Sequence, residues 1–207
     1  MLHNEIPLAT TIAFQSYGRA NGCVTIWNPS PLPNAQVLKA WKWIELDILI
    51  VNQGEGLKLI EALCGEKRRE DEDAGDTMRR LVSIPALNKD LGWIVMTIGA
   101  QGVLASVLVQ GAFERSELSL AASKPEQVVD TTGAGDTFAG YLVSTIASQQ
   151  DGRSSWSQRG RPRTREEALK CLSRAKVAAA MAVEKHGATE SIPDDKSVEL
   201  RMARESH

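Results

Sequence analysis

The sequence has few cysteines, no long apolar run and no excess of charge of either sign, and each of these absences excludes a class of protein. It has three cysteines in 207 residues and no C-x-x-C pair, which excludes a disulfide scaffold and a zinc site built on paired cysteines. No stretch approaches the roughly 20 consecutive apolar residues of a membrane span, and residues 1–7 lack the features of a signal peptide. A net charge of −2 with mixed signs gives no overall attraction to nucleic acid or to a membrane. We expect a cytoplasmic protein, with a nuclear location as the alternative.

The order of the apolar segments predicts a single α/β domain. With 43% hydrophobic and 24% charged residues, the composition is that of an ordinary globular protein. Apolar strands at 47–51 and 93–98 alternate with helical patterns at 8–20 and 56–64, and the run at 103–109 indicates an antiparallel neighbour. We predict a three-layer α/β/α, Rossmann-like fold around a mainly parallel sheet.

The last third of the chain combines a Gly-rich motif with a polar insertion. Residues 149–164 are polar and contain Gly and Arg, which predicts a flexible insertion, and 165–184 is an Ala-rich helical segment. Before them, Gly133-Ala134-Gly135-Asp136 places small residues where a loop becomes a helix. The free N–H groups of a first helical turn bind anions, and small residues allow a phosphate close approach. The lysine of the P-loop and the G-x-G-x-x-G spacing are both absent.

Asp136 indicates that this anion site has a catalytic role. A carboxylate repels phosphate, so its presence in the same turn makes sense if a hydroxyl must lose its proton beside a transferring phosphoryl group. The alternative is an ordinary helix start in which Asp136 complements the helix dipole. The similar run Asp73-Ala74-Gly75-Asp76-Thr77 lies in a strongly acidic segment, and we interpret it as a helix start only.

The run D-T-T-G-A-G-D-T-F at 130–138 resembles the carboxyl-terminal signature of the ribokinase, or pfkB, family of carbohydrate kinases. That resemblance implies a ribokinase-like fold and an ATP-dependent sugar kinase. It implies that Asp136 is the catalytic base and that the amides of Gly133, Ala134 and Gly135 form an anion hole.

Two upstream segments resemble further motifs of that family, in the same order along the chain. Asn52-Gln53-Gly54-Glu55 resembles N-x-x-E, which implies that Asn52 and Glu55 organise phosphate and Mg²⁺. Thr97 to Gly102 resembles T-x-G-x-x-G, which implies that Thr97, Gly99 and Gly102 contact the nucleotide. The alternatives are a helix cap for the first segment and a plain turn for the second.

The segment 186–193 resembles the family's G-A-x-x-S-x-P run, which closes the adenine site and a potassium site. By that resemblance, oxygen atoms of six residues would hold K⁺: Asp130, Thr132, Ala182, Lys185, Gly187 and Ser191. Near the amino terminus, segments at 4–7 and 28–31 resemble Q-x-E-x-P and N-P-A-P of ribokinases. That implies D-ribose as the sugar and Glu5 as a contact to it, although fructose and adenosine kinases share the Gly-Ala-Gly-Asp core, and a charged strand end is the alternative for Glu5.

The resemblance covers only the later part of the family's sequence. The family's amino-terminal strands, its paired-glycine sugar motif and its lid sheet, which often forms the dimer contact, have no counterpart in this chain. We therefore expect an N-terminally truncated ribokinase-like domain, weakly active or inactive by itself, and a homodimer only in a full-length form. One alternative is a nucleotide-binding remnant without sugar turnover. Another is DNA contact through residues 159–163, R-G-R-P-R, which resemble the core of an AT-hook.

Overall fold

The core of the computed structural model, which describes residues 1–88, 91–148 and 160–205, is a five-stranded sheet. Spatial order follows chain order from the first strand to the fifth. The strands are β1 (Ile26–Trp27), β2 (Ile48–Asn52), β3 (Trp93–Thr97), β4 (Val103–Val107) and β5 (Ser116–Leu120).

The sheet is mixed, so the prediction of a mainly parallel sheet is wrong for its second half. β1, β2 and β3 pair in parallel, whereas β3 with β4 and β4 with β5 pair antiparallel. Only the turn 98–102 separates β3 from β4, and a parallel connection needs a crossover of a dozen or more residues. The predicted antiparallel run after the turn is confirmed.

Helices cover both faces of the sheet. They are α1 (Leu8–Ala20), α2 (Ala35–Ala40), α3 (Gln53–Cys64), α4 (Ala74–Ser83), α5 (Pro85–Asn88), α6 (Ala134–Ser148), α7 (Arg165–Ala182) and α8 (Asp195–Glu205). Ile48 and Ile50 pack with α6, α7 and α8, whereas Leu49 and Val51 pack with α2 to α5 on the other face. Alternate side chains of a strand point to opposite faces, so burial of both faces makes β2 a continuous apolar run. The predicted three-layer α/β/α fold is confirmed.

The structure lengthens the predicted helix α3, ends α7 two residues before the predicted residue 184 and adds elements that the sequence did not reveal. α1 spans the predicted residues, whereas α3 begins three residues earlier than predicted because residues of the Asn52–Glu55 motif form its first turn. β5, α2 and α8 were not predicted. α8 buries a single residue, Val198, and β5 buries Leu118 alone, so their apolar patterns are too weak to read. Among the described residues, no helix has the length and apolar composition needed to cross a membrane.

Candidate active site

Two of the predicted motifs lie side by side at the carboxyl ends of parallel strands. Asn52 ends β2 and Thr97 ends β3, and the two residues are register partners in the sheet. Neighbouring strands lie about 4.8 Å apart. The pairing of β2 with β3 therefore brings together segments that are 45 positions apart in the sequence.

Asn52 and Glu55 form a capping box at the start of α3. The Asn52 side chain accepts a hydrogen bond from Glu55 N at 2.9 Å, and the Glu55 carboxylate accepts one from Asn52 N at 2.9 Å. The interpretation of this segment as a helix cap is thus confirmed. Capping does not exclude the proposed phosphate and Mg²⁺ role, because a carboxylate oxygen has more than one lone pair.

The Glu55 carboxylate is held in a half-buried position where its charge is unfavourable. Burial raises the pKa of Glu55, and the hydrogen bonds from Asn52 and Ser30 and the charge of Lys58 only partly offset this. A buried acid that must be ionised to act is typical of functional sites. The position is suited to a carboxylate that a bound cation would stabilise.

The turn from β3 to β4 depends on two glycines. Ile98 N donates to Gly102 O at 2.9 Å, and Gly99–Gln101 form a 3-10 turn between them. Both Gly99 (φ 58°) and Gly102 (φ 114°) have positive φ, which disfavours residues with a Cβ. A Cβ on Gly102 would lie 2.1 Å from Leu120 O, so β5 passes directly against this turn.

The first turn of α6 presents a carboxylate next to free backbone donors. Gly133 precedes the helix with a φ of 78°, and Asp136 is exposed in the first turn. Within the described part of the chain, the N–H groups of Gly135 and Asp136 have no protein acceptor. An anion that approached this turn would therefore meet two unpaired donors.

The similar run at 73–77 shows what this turn would be without its glycine. There, Asp73 accepts a hydrogen bond from Asp76 N at 2.7 Å, and the Asp76 side chain accepts one from Asp73 N. This capping box confirms that Asp73–Asp76 is a helix start. Gly133 occupies the position of Asp73 and has no side chain, so the corresponding N–H of Asp136 stays free.

The segment 186–193 packs directly against the start of α6. A Cβ on Gly133 would lie 2.9 Å from Ala188 O, so only glycine permits this approach. Asp130 joins the two segments, since its carboxylate accepts hydrogen bonds from Thr132 N at 2.9 Å and Gly187 N at 3.2 Å. The hydrogen bonds from Thr132 and then from Gly187 lower the pKa of Asp130, which keeps this carboxylate ionised.

The predicted potassium ligands are partly brought together. Asp130, Thr132 and Gly187 are linked by the hydrogen bonds above, and the buried Ser191 donates to Ala188 O at 3.4 Å. The Ala182 carbonyl accepts a hydrogen bond from Lys185 N at the end of α7, and the two lie three residues apart there. Among the described residues, no three His, Cys, Asp or Glu side chains gather as a metal site, so a cation here would depend mainly on carbonyl and hydroxyl oxygens.

A cleft of about 600 Å³ joins the β3–β4 turn to the start of α6. Motif residues from both segments line it: Thr97, Gly99, Gly102, Thr131, Ala134 and Gly135. Its other walls are mainly apolar and come from β4, α6, α7 and the segment 122–128, with Lys124 and Lys176 as the cations. These wall residues were not predicted, because their sequences carry no motif. Asn52 and Glu55 do not line this cleft but a different one, of about 560 Å³.

Comparison with known proteins identifies the family to which this chain belongs. The model of the pfkB family carbohydrate kinases matches residues 1–195. The chain belongs to the pfkB family of carbohydrate kinases. The match includes all of the motif residues described above and extends over both layers of helices.

Ribokinases are among the similar proteins. The chain is 28% identical to the ribokinase of Staphylococcus aureus (strain COL) over 192 residues, which are 91% of this chain and 51% of that protein. A structure of Cryptococcus neoformans ribokinase in complex with ADP superposes with a TM-score of 0.76 and 29% identity, covering 96% of this chain and 59% of that one. Arabidopsis thaliana ribokinase complexed with ribose and ATP gives 0.67 and 25%, covering 97% and 54%. The chain thus spans about half the length of the curated relatives it matches.

Glu5 of this pfkB-family chain lies away from the cleft. It is exposed and lines a separate cavity with Phe14 and Tyr17 of α1. Residues before it extend the sheet by one bridge, Leu2 to Trp27, at the edge next to β1. The structure therefore does not bring Glu5 and Asp136 into one cleft, and its role in sugar binding stays a prediction.

Residues 160–163, the described part of the R-G-R-P-R run, pack onto the domain. Gly160 O accepts a hydrogen bond from the Trp93 indole at 2.7 Å, and Pro162 O accepts one from Gln110 N at 2.9 Å. Arg163 forms an ion pair with Glu167 in the first turn of α7. Nothing in these contacts favours insertion into a DNA groove. Residues 149–159, which include Arg159 and most of the predicted insertion, lie outside the described residues.

Proposed function

We propose that this pfkB-family domain transfers the γ-phosphoryl group of Mg-ATP to a primary sugar hydroxyl, with the 5-hydroxyl of D-ribose as the acceptor. The choice of nucleotide and sugar follows the similar proteins, one of which is described with ribose and ATP bound and another with ADP. Family membership supports the reaction class.

One observation carries the proposal: the free N–H groups of Gly135 and Asp136, with Gly135 lining the cleft, sit in the same helical turn as the Asp136 carboxylate. The N–H groups are positioned to stabilise negative charge on phosphoryl oxygens. The carboxylate accepts the proton of the attacking hydroxyl as the new O–P bond forms. The bond from the γ-phosphorus to the bridging oxygen breaks, and ADP leaves with that electron pair.

The cleft fits the rest of an ATP molecule. Its apolar walls, among them Val103, Phe138 and Val183, suit an adenine ring, and the cations Lys124 and Lys176 would attract the phosphates. Thr97 with Gly99 and Gly102 would hold the phosphate tail from the strand side. The volume of about 600 Å³ lies within the range of ordinary ligand pockets.

The residues also fit the two predicted cations. Asn52 and Glu55 would hold Mg²⁺, with waters completing its shell, and Asp130, Thr132, Gly187 and Ser191, with the Ala182 and Lys185 carbonyls, would hold K⁺. When bound, these cations neutralise phosphate charge. A bound cation would also stabilise the negative charge of the half-buried Glu55 carboxylate and of the ionised Asp130.

The substitution Glu55→Gln tests whether this carboxylate is kept for function. Glutamine preserves the capping box but has no charge to bury. Because burial raises the pKa of Glu55, we expect the variant to melt above the parent at neutral pH. The difference should shrink as the pH falls through that raised pKa, and it should vanish well below 4.5, where the parent carboxyl is neutral in both the folded and the unfolded state.

The same variant should bind Mg-ATP about tenfold more weakly, because removal of a metal-organising group typically costs 10- to 100-fold in affinity. Melting curves between pH 4.5 and 8 and titration with Mg-ATP would measure both effects. A variant that is less stable than the parent at neutral pH and binds Mg-ATP equally well would contradict the metal role of Glu55.

The direct test of the proposed function is calorimetric titration of the 207-residue chain with Mg-ATP, followed by an assay for ribose 5-phosphate. We expect saturable binding with a Kd between about 1 μM and 1 mM, and none with ATP-free buffer. Fructose and adenosine serve as competing acceptors in the assay. ATP binding without transfer to any acceptor would favour a nucleotide-binding remnant, and absence of ATP binding would contradict the proposal.

A further inference from the structure

One wall of the cleft has no regular secondary structure of its own. The segment 121–130 connects β5 to the α6 motif without helix or strand, and Ser123, Lys124 and Pro125 from it line the cleft. Such a segment has no ladder of backbone hydrogen bonds to fix its shape. Its position therefore depends on contacts from other elements.

Arg201 of α8 provides the central contact. Its guanidinium forms two hydrogen bonds with the Glu184 carboxylate, at 2.8 and 3.0 Å, and an ion pair with Glu126 at 3.3 Å. It also donates to Lys124 O at 3.5 Å. The same Glu184 carboxylate accepts a hydrogen bond from Glu126 N at 2.7 Å. One arginine thus ties the backbone of the cleft wall to the second residue after α7.

This contact is shielded from water and connected to the cleft on both sides. The side chains of Arg201 and Glu184 are each 14% exposed, and hydrogen bonds between charged groups are the strong ones in proteins. Val183, next to Glu184, lines the cleft, and its carbonyl accepts hydrogen bonds from Val129 N and Asp130 N. The wall is therefore held at its middle by Arg201 and at its end by Val183.

α8 adds a second contact at the start of the segment. The hydroxyl of Ser123, which is almost fully buried, donates to the Glu205 carboxylate at 2.8 Å. The family model ends at residue 195, which is the first residue of α8. The contacts of Arg201 and Glu205 with the cleft wall therefore lie beyond the matched part of the chain.

We propose that Arg201 is a positioning residue for the nucleotide: it fixes residues 124–126 against the end of α7 and so gives the cleft its binding shape before ATP arrives. The proposal rests on the nucleotide binding proposed above. Arg201 does not line the cleft, so it acts through the segment that it holds. Without this contact, residues of the wall would become ordered only when ATP binds. The entropy cost of that ordering would weaken the affinity for ATP.

The test compares Arg201→Met with Arg174→Met. Arg174 also bridges α7 to α8, through Asp195 and Glu199, and its side chain is 18% exposed, but these contacts do not involve the cleft wall. We expect Arg201→Met to raise the Kd for a non-hydrolysable ATP analogue with Mg²⁺ about tenfold, as expected for several groups ordered on binding. Arg174→Met should change this Kd by less than about twofold, because sites that share no partners act independently of each other.

Hydrogen exchange gives a second readout that general destabilisation would not localise. In Arg201→Met, the amides of 122–128 should exchange faster, while those of β2 and β3 keep the rate of the parent.

If Arg201→Met fails to fold, Glu184→Gln removes the charge but keeps an acceptor for Glu126 N, and we expect a smaller increase of the same Kd. Equal affinities in the Arg201 and Arg174 variants, whether unchanged or equally weakened, would overturn the role of Arg201 alone. A parent chain that does not bind the analogue would overturn the proposed function as well.

Discussion

In a form of the protein that phosphorylates ribose, Asp136→Asn should lower kcat by about a thousandfold, within the range that a positioned general base contributes. The asparagine amide has nearly the same size as the carboxylate and stays in the first turn of α6, but it cannot accept the proton of the sugar hydroxyl. ATP affinity should remain within about threefold of the parent, because the backbone donors of Gly135 and Asp136 are unchanged. Initial rates at saturating ATP and ribose, together with calorimetric titration, measure the two effects separately.

The chain contains a matched control for this substitution. Asp76 lies in the same Ala-Gly-Asp-Thr sequence at the start of α4, where its carboxylate pairs with Asp73 N and Arg79. Asp76→Asn should leave kcat unchanged and have little effect on stability, because an exposed ion pair contributes little. Normal kcat in Asp136→Asn would remove Asp136 from the mechanism, and an equal loss in both variants would show that the effect is structural.

Gly102→Ala should destabilise the fold by about 3 kcal/mol or more, because backbone strain and forced overpacking each cost of the order of 1–3 kcal/mol. The new Cβ would lie 2.1 Å from Leu120 O and 2.6 Å from Ala122 N, at a φ of 114°. These neighbours are backbone atoms, so β5 and the start of the cleft wall would have to move. We also expect weaker ATP binding, since Gly102 and Ala122 both line the cleft.

Gly99→Ala is the control in the same turn. Gly99 has a φ of 58°, and a Cβ there would meet nothing within 4 Å, so only the left-handed backbone is penalised, by about 1–2 kcal/mol. Urea unfolding of the two variants compares the free energies directly. Equal losses would mean that close packing of β5 against the turn does not matter for stability.

The two Ala-Gly-Asp-Thr runs show how far local sequence reasoning reaches. Acidic surroundings correctly marked 73–77 as an ordinary helix start, which the capping box of Asp73 and Asp76 confirms. The structural difference is the residue before alanine. The Asp73 side chain accepts a hydrogen bond from an N–H of its own helix. Gly133 has no side chain, so the N–H of Asp136 stays free. Both the motif and its look-alike could therefore be interpreted from the residues of a single turn.

Other parts of the site were out of reach of such reasoning. The wall at 122–128, with Lys124 and Pro125, has no motif, and Lys176 lies within an Ala-rich helix. The prediction for Glu5 rests on a short resemblance, and the structure places this residue on a different cavity. Whether such residues line the cleft depends on which other segments pack next to them, and a single sequence contains no signal for these contacts.

The sequence by itself determined which backbone donors and which carboxylate meet in the α6 turn, the apolar strands and their layered fold, because each depends on residues close together along the chain. Small residues free the backbone donors, and a carboxylate three positions after Gly133 falls in the same helical turn. Only the tertiary structure decided that Thr97 and Gly135 share a cleft, that the second half of the sheet is antiparallel and that Arg201 holds the cleft wall. These features arise from contacts between distant segments, such as Gly133 against Ala188, whose geometry is fixed by packing of the whole domain.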